Sequence, residues 1–193
     1  MATTPKILAF AGSTRTGSWN KKLIRIGARL ATAAGGEVTV IDLRDYPLPI
    51  YDGDDEENNG LHENAQKLKS LFLSHDALLI CSPEYNSSIP GVLKNAIDWV
   101  SRTGPGERPL QCFDGKVCAL LSASPGALGG LRGLVTLRSI LGNIKALVLP
   151  GQFALGKADQ AFDEAGELKD PKSLAVVQTV VEALVQTTGK LKG

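Results

Sequence analysis

"AGSTRTGSWN", residues 11–20, joins the apolar run "KILAFA" (6–11) to a stretch in which Leu23, Ile24, Gly27, Leu30, Ala31 and Ala34 recur at helical spacing. A buried strand that passes through a polar, glycine-bracketed loop into an amphipathic helix is the opening unit of an α/β fold. Gly12 and Gly17 stand at the spacing of a P-loop, but Ser18 and Trp19 occupy the positions of its lysine and its metal-binding hydroxyl. "GSTRTG" does not contain the G-x-G-x-x-G of a dinucleotide fingerprint, and no cysteine opens the loop as a phosphatase of the C-x5-R type requires. What remains is a strand-to-helix turn with free backbone N–H groups at the positive end of a helix dipole. Ser13, Thr14, Thr16, Ser18 and Asn20 add neutral donors, and Arg15 offers charge-assisted bonds to phosphate oxygens. Such a loop suits a terminal monophosphate; the alternative is a polar turn with Ser18 as an N-cap.

The pattern repeats along the chain. "EVTVID" (37–42), "DALLICS" (76–82), "KVCALLSA" (116–123) and "IKALVLP" (144–150) are continuously apolar runs, the signature of parallel strands covered on both faces. Between and after them, helical spacing marks Leu61 to Phe72, Val92 to Val100, Leu131 to Leu141 and Leu174 to Val185. Five strands alternating with helices predict a doubly wound α/β sheet, and right-handed crossovers favour the order 2-1-3-4-5. All 193 residues read as one domain, without repeat or low-complexity segment. Two loops interrupt the regularity: "YPLPIYDGDDEENNG" (46–60), read as a long acidic loop, and "RTGPGERPLQCFDG" (102–115). In such a sheet a ligand lies outside the carboxyl ends of the strands where the strand order reverses. There "GSTRTGSWN", "SPEYNSSIPG" and "SASPGALGG" are expected to converge.

Composition narrows the functional classes. Hydrophobic residues make up 43% and charged residues 21%, which fits a soluble globular protein. A formal net charge of +1 supplies no field for nucleic acid or a membrane surface. The start "MATTPKILAF" carries neither a basic segment nor a long apolar run, and no stretch is long enough to span a bilayer, so the expected location is cytoplasmic. Cys81, Cys112 and Cys118 read as reduced thiols without metal-ligand spacing. His62 and His75 are too isolated for a metal site or a catalytic triad and are expected near the surface of the second helix.

In the second loop, Pro83 and Pro90 stiffen the backbone, Tyr85 offers a flat face, and Asn86, Ser87 and Ser88 offer polar edges. That set suits a planar heterocycle whose rim needs hydrogen bonds. Glu84 is the loop's lone carboxylate; without an acidic partner it reads as a structural group, pairing across a subunit contact or holding the loop, rather than as an acid or base. Lys94 and Asp98 read as a solvated i,i+4 pair, and Trp99 and Cys81 as core. In the third loop Gly126, Gly129 and Gly130 are either turn glycines or a backbone surface for close approach to a ring.

Together, "GSTRTGSWNKKL" and "PEYNSSIPGVLKNAIDW" resemble the NADPH-dependent FMN reductases of the flavodoxin-like superfamily, and within it the bacterial quinone and chromate reductases. The resemblance runs over nearly the whole chain and implies a flavodoxin-like three-layer sandwich. It implies noncovalent FMN, with NADPH or NADH as co-substrate, and reduction of quinones and of other small oxidants such as chromate. Ser13, Arg15, Ser18 and Asn20, with the Trp19 amide, would hold the FMN phosphate. Pro83, Glu84, Tyr85 and Asn86 would border the isoalloxazine ring, and Ala123 and Ser124 would meet its other edge. It further implies a homodimer or homotetramer, with which the long apolar helices and the basic residues Arg102 and Arg132, expected beside the site, are compatible. The flavin would carry the chemistry, so no protein group is expected to be catalytic and no metal is expected. Two other classes stay open: a flavodoxin-type electron carrier, which the near-zero charge disfavours, and a flavin-binding regulatory protein without a substrate.

Overall fold

The computed structural model describes residues 4–192; Met1 to Thr3 and Gly193, included in the expected domain, lie outside the described residues. Five parallel strands, β1 (Lys6–Ala11), β2 (Glu37–Asp42), β3 (Ala77–Cys81), β4 (Val117–Ala123) and β5 (Leu147–Leu155), form one sheet in the order β2-β1-β3-β4-β5. This is the order expected from the sequence. The three inner strands are buried almost throughout, whereas the edge strands β2 and β5 are only partly covered, which is why the inner runs were uninterruptedly apolar.

Alternate side chains of each strand serve opposite faces. Ile7, Ala9, Leu79, Ala119 and Leu121 pack against α1 (Trp19–Ala33) and the long C-terminal helix (Pro171–Lys192). Leu8, Phe10, Leu78, Ile80 and Leu120 pack against α3 (Glu63–Ser74), α4 (Gly91–Val100) and α5 (Leu131–Asn143). Each fully buried leucine or isoleucine contributes roughly 1.5–3 kcal/mol of transfer free energy, so the sheet, not any single helix, fixes the architecture. Trp99 is fully buried, and its indole N–H donates to the Pro49 carbonyl at 2.9 Å.

Three elements depart from the sequence reading. The acidic loop contains a helix, α2 (Gly53–Asn59), whose first-turn acids Asp54, Asp55 and Glu56 favour its dipole and whose Asp52 carboxylate caps the Asp54 amide. The last strand runs Leu147–Leu155, beyond the expected end at residue 150; Pro150 is accommodated because the β4–β5 register slips between Cys118 and Leu120, on an edge where its missing N–H is not needed. His75 is buried at the end of α3, with its imidazole between the Leu71 carbonyl and the Thr39 hydroxyl, not near the surface. Among the described residues, no helix is long and apolar enough to cross a membrane, and no group of three acidic, histidine or cysteine side chains is placed to hold a metal ion.

Candidate active site

The carboxyl ends of β1, β3 and β4 open into one cleft lined by Ser13, Arg15, Ser18, Trp19, Asn20, Pro83, Glu84, Tyr85, Ala123, Ser124 and Pro125. Ten of the sequence-predicted residues line it; Asn86 does not, and Pro125 is added. A wider groove of about 600 Å3 lies between α2, α3 and residues 103–107, but its charges are already matched: Glu56 pairs with Arg102, and Glu107 with Lys69. Arg102 thus pairs with a residue of that groove and does not line the strand-end cleft.

Gly12 sets the path of the first loop. Its amide continues the sheet by donating to the Cys81 carbonyl at 2.9 Å, and a Cβ there would stand 2.8 Å from Leu93 Cδ2. A side chain at this position would force Leu93 of α4 to shift, so glycine suits the close passage of the chain under α4. Ser18 takes the N-cap position of α1 with extended dihedrals, yet its side chain makes no cap hydrogen bond. Its hydroxyl is thus uncommitted on a residue only 5% exposed. The Ser18, Trp19 and Asn20 amides have no backbone acceptor among the described residues, as expected of a first helical turn. Arg15 is exposed, makes no salt bridge among the described residues, and stacks on the Trp19 ring with its guanidinium carbon 5.4 Å from the centroid.

Asn20 does something different from its neighbours. It is 2% exposed, and its side chain donates to the Ala123 carbonyl (2.8 Å) while accepting from the Ala123 amide (3.0 Å) and the Cys81 thiol (3.2 Å). It braces the first loop to the end of β4, and in doing so commits the Ala123 backbone as well. Burial pushes the Cys81 thiol well above its ordinary pKa, so it stays protonated and donates. Ser124 is half-buried; its amide donates to Leu155, and its hydroxyl accepts from the Gly126 amide at 3.3 Å.

In the second loop Asn86 and Ser87 form a two-residue turn with φ of 52° and 64°, closed by reciprocal Tyr85–Ser88 backbone bonds of 3.0 Å. Two consecutive non-glycine residues in the left-handed region are strained, and the turn holds Tyr85, 56% exposed, at the mouth of the cleft. Glu84 turns the other way. One carboxylate oxygen accepts from the Gly133 amide in the first turn of α5 (3.0 Å), and the other accepts from Arg132 Nε (3.0 Å) and is 2.8 Å from its Nη2. Burial raises the carboxyl's pKa, but the Gly133 amide and the Arg132 guanidinium outweigh it, and the net shift is downward. Glu84 is therefore an ionised clamp between the second loop and α5 of the same chain. Gly130, at φ 91°, caps α5, and a Cβ on it would lie 2.0 Å from Ser122 Oγ. The third-loop glycine thus serves the turn and the packing beneath it. Ser122 Oγ is the one buried side-chain polar atom without a partner among the described residues. Neither Gly133 nor Ser122 was marked by the sequence, since each acts through residues distant in the chain.

A profile of the NADPH-dependent FMN reductase family matches residues 5–160. The chain is 35% identical over 190 residues to an NAD(P)H-dependent FMN reductase of Pseudomonas aeruginosa, covering 97% of each. It is 33% identical over 171 residues to the quinone reductase of Escherichia coli K12, covering 88% of this chain and 87% of that one. Among solved structures, FerB, a flavoenzyme NAD(P)H:(acceptor) oxidoreductase from Paracoccus denitrificans, superposes with a TM-score of 0.82 at 28% identity, over 97% of this chain and 98% of that one.

Proposed function

The chain belongs to the NADPH-dependent FMN reductase family, and from that membership we propose that it oxidises NADPH or NADH and reduces quinones by way of FMN held noncovalently in the strand-end cleft. One observation carries the cofactor assignment. The uncommitted Ser18 hydroxyl, the three first-turn amides and the carboxylate-free Arg15 form a cradle with one positive side chain and no lysine, matched to a single terminal phosphate. The residues fit the group. The enclosed space of about 80 Å3 is below the roughly 300–1,000 Å3 of pockets that engulf a small molecule, so the cleft holds the polar end and leaves a ring accessible at the mouth, bordered by Tyr85, Pro83 and Pro125.

When bound, FMN supplies the hydride and electron chemistry, which no protein side chain here offers. The chain's own residues bind and orient. Arg15, Ser13 and Ser18 hold the phosphate, Asn20 fixes the loop against β4, and Glu84 fixes the second loop against α5. The open mouth admits nicotinamide and acceptor in turn. Chromate and other small oxidants belong to the same proposal, since an open mouth imposes little selection on the acceptor. A homodimer or homotetramer is the proposed assembly, supported by exposed apolar side chains: Tyr85 at the cleft mouth, Leu128 in the loop before α5, and Leu131 and Val135 on α5. Steady-state oxidation of NADPH and of NADH by the FMN-saturated protein, with benzoquinone and then chromate as acceptors, tests the reading. Quinone-dependent consumption of either nucleotide is expected; none with either would contradict it.

A further inference from the structure

Arg15 lies in an unusual setting for a surface arginine. Its guanidinium faces the Trp19 indole at 5.4 Å from the ring centroid, and no carboxylate among the described residues pairs with it. Arg44 also reaches this loop, its Nε donating to the Thr14 carbonyl at 2.8 Å. Residues 11–20 contain no acid to offset Arg15, whereas the charge of Arg44 faces Asp42. Trp19 is anchored from below: it is half-buried and packs against the hydrophobic cluster under α1. A rigid, core-seated aromatic face thus carries a cation that is otherwise free to swing into solvent.

We propose that Trp19 is a positioning residue for phosphate recognition: its indole face holds the Arg15 guanidinium over the loop and so lets the protein tell FMN from riboflavin. The proposal rests on the assignment of the FMN phosphate to this loop. Stacking and phosphate binding do not compete, because a stacked guanidinium uses its π face while its N–H donors point outward in the plane of the group. Those in-plane donors can meet two phosphate oxygens at once. Without the indole, the long arginine side chain must be ordered from many rotamers when phosphate binds, an entropic cost that the stack has already met. The first-turn amides and the Ser18 hydroxyl recognise the same phosphate but do not depend on Trp19's ring, so its loss should weaken discrimination without abolishing it.

The test is calorimetric titration of the flavin-stripped full chain with FMN and with riboflavin, on wild type, Trp19→Leu, Trp19→Phe, Arg15→Ala and the Arg15→Ala/Trp19→Leu double variant. The ratio of the two affinities is the readout, since a general disturbance of the cleft moves both ligands together. Trp19→Leu should reduce the FMN-over-riboflavin preference about three- to tenfold, the range of a partly exposed cation–π contact. Trp19→Phe, which keeps an aromatic face, should retain most of it. In the Arg15→Ala background, Trp19→Leu should change the ratio no further, because the indole acts only through the arginine. An unchanged ratio in Trp19→Leu, or an equal fall with and without Arg15, overturns the proposal. Failure of the wild type to bind FMN in preference to riboflavin overturns the phosphate assignment itself, and the proposal with it.

Discussion

Replacing Glu84 by glutamine should loosen the join between the second loop and α5 without removing the chemistry. The carboxylate accepts from the Gly133 amide at 3.0 Å and from Arg132 at 2.8–3.0 Å, with its side chain 9% exposed and that of Arg132 60% exposed. Glutamine keeps an acceptor for Gly133 but makes that bond neutral, a loss of about 1 kcal/mol. The Arg132 pair, exposed on the arginine side, adds at most about 1 kcal/mol. The total of about 1–2 kcal/mol corresponds to a fall in melting temperature of about 2–8 °C for a chain of this size. The effect has a pH signature. Because the folded-state pKa of Glu84 lies below its ordinary 4.5, its stabilisation is complete above that value and is lost as pH falls through the folded-state pKa. Thermal unfolding followed by circular dichroism should therefore show a gap between wild type and Glu84→Gln at neutral pH that narrows as the pH is taken below the ordinary carboxylate range and the clamp protonates. Equal midpoints at neutral pH, or a gap that widens on acidification, would refute the clamp. The flavin-saturated variant should still be reduced by NADPH in stopped flow, since the carboxylate is bonded to α5 and not to a reacting group. Complete loss of reduction in a folded, loaded variant would move Glu84 into the chemistry.

Arg15→Ala should raise the FMN dissociation constant roughly ten- to a hundredfold, the weight of a charge-assisted bond, and leave riboflavin binding unchanged; identical FMN titrations would remove Arg15 from the phosphate site. Ser122→Ala deletes a buried hydroxyl that has no partner, so urea unfolding should show unchanged stability or a gain of up to about 1 kcal/mol, and a clear loss would mean that the hydroxyl is bonded. Gly130→Ala should cost at least about 2 kcal/mol, because φ is 91° and the new Cβ would meet Ser122 Oγ at 2.0 Å; wild-type stability would contradict the packing at the α5 cap. If nicotinamide and quinone take turns at one mouth, double-reciprocal initial-rate plots at several fixed quinone concentrations should be parallel, and intersecting lines would argue for separate sites.

The inner sheet was legible because β1, β3 and β4 are buried on both faces, and a run such as Ala77–Cys81 has no polar residue to confuse its reading. The edge was harder. β5 mixes Pro150, Gly151 and Gln152 with apolar residues, and its register slip leaves no periodicity to follow past residue 150. Helix α2 buries no residue, so it carries no apolar stripe and is held by its cap and its charges. The cleft was visible for a different reason. Three polar loops each follow an apolar run, and the strand order brings their ends together. What each side chain does there was not visible. That Asn20 spends its amide on Ala123, and that Glu84 reaches Gly133 on α5, depends on contacts between residues 49 or more positions apart. Local pattern holds no trace of such pairs.

The central claim is that the cradle of Ser13, Arg15 and Ser18 is built for a flavin ending in one phosphate. Acid release of the ligand from the purified, flavin-saturated protein, followed by chromatography against FMN, FAD and riboflavin, tests it most directly. FMN should be recovered in near-stoichiometric amount after incubation with an equimolar mixture of the three. Recovery of FAD or riboflavin in its place, or of no flavin at all, would contradict the account.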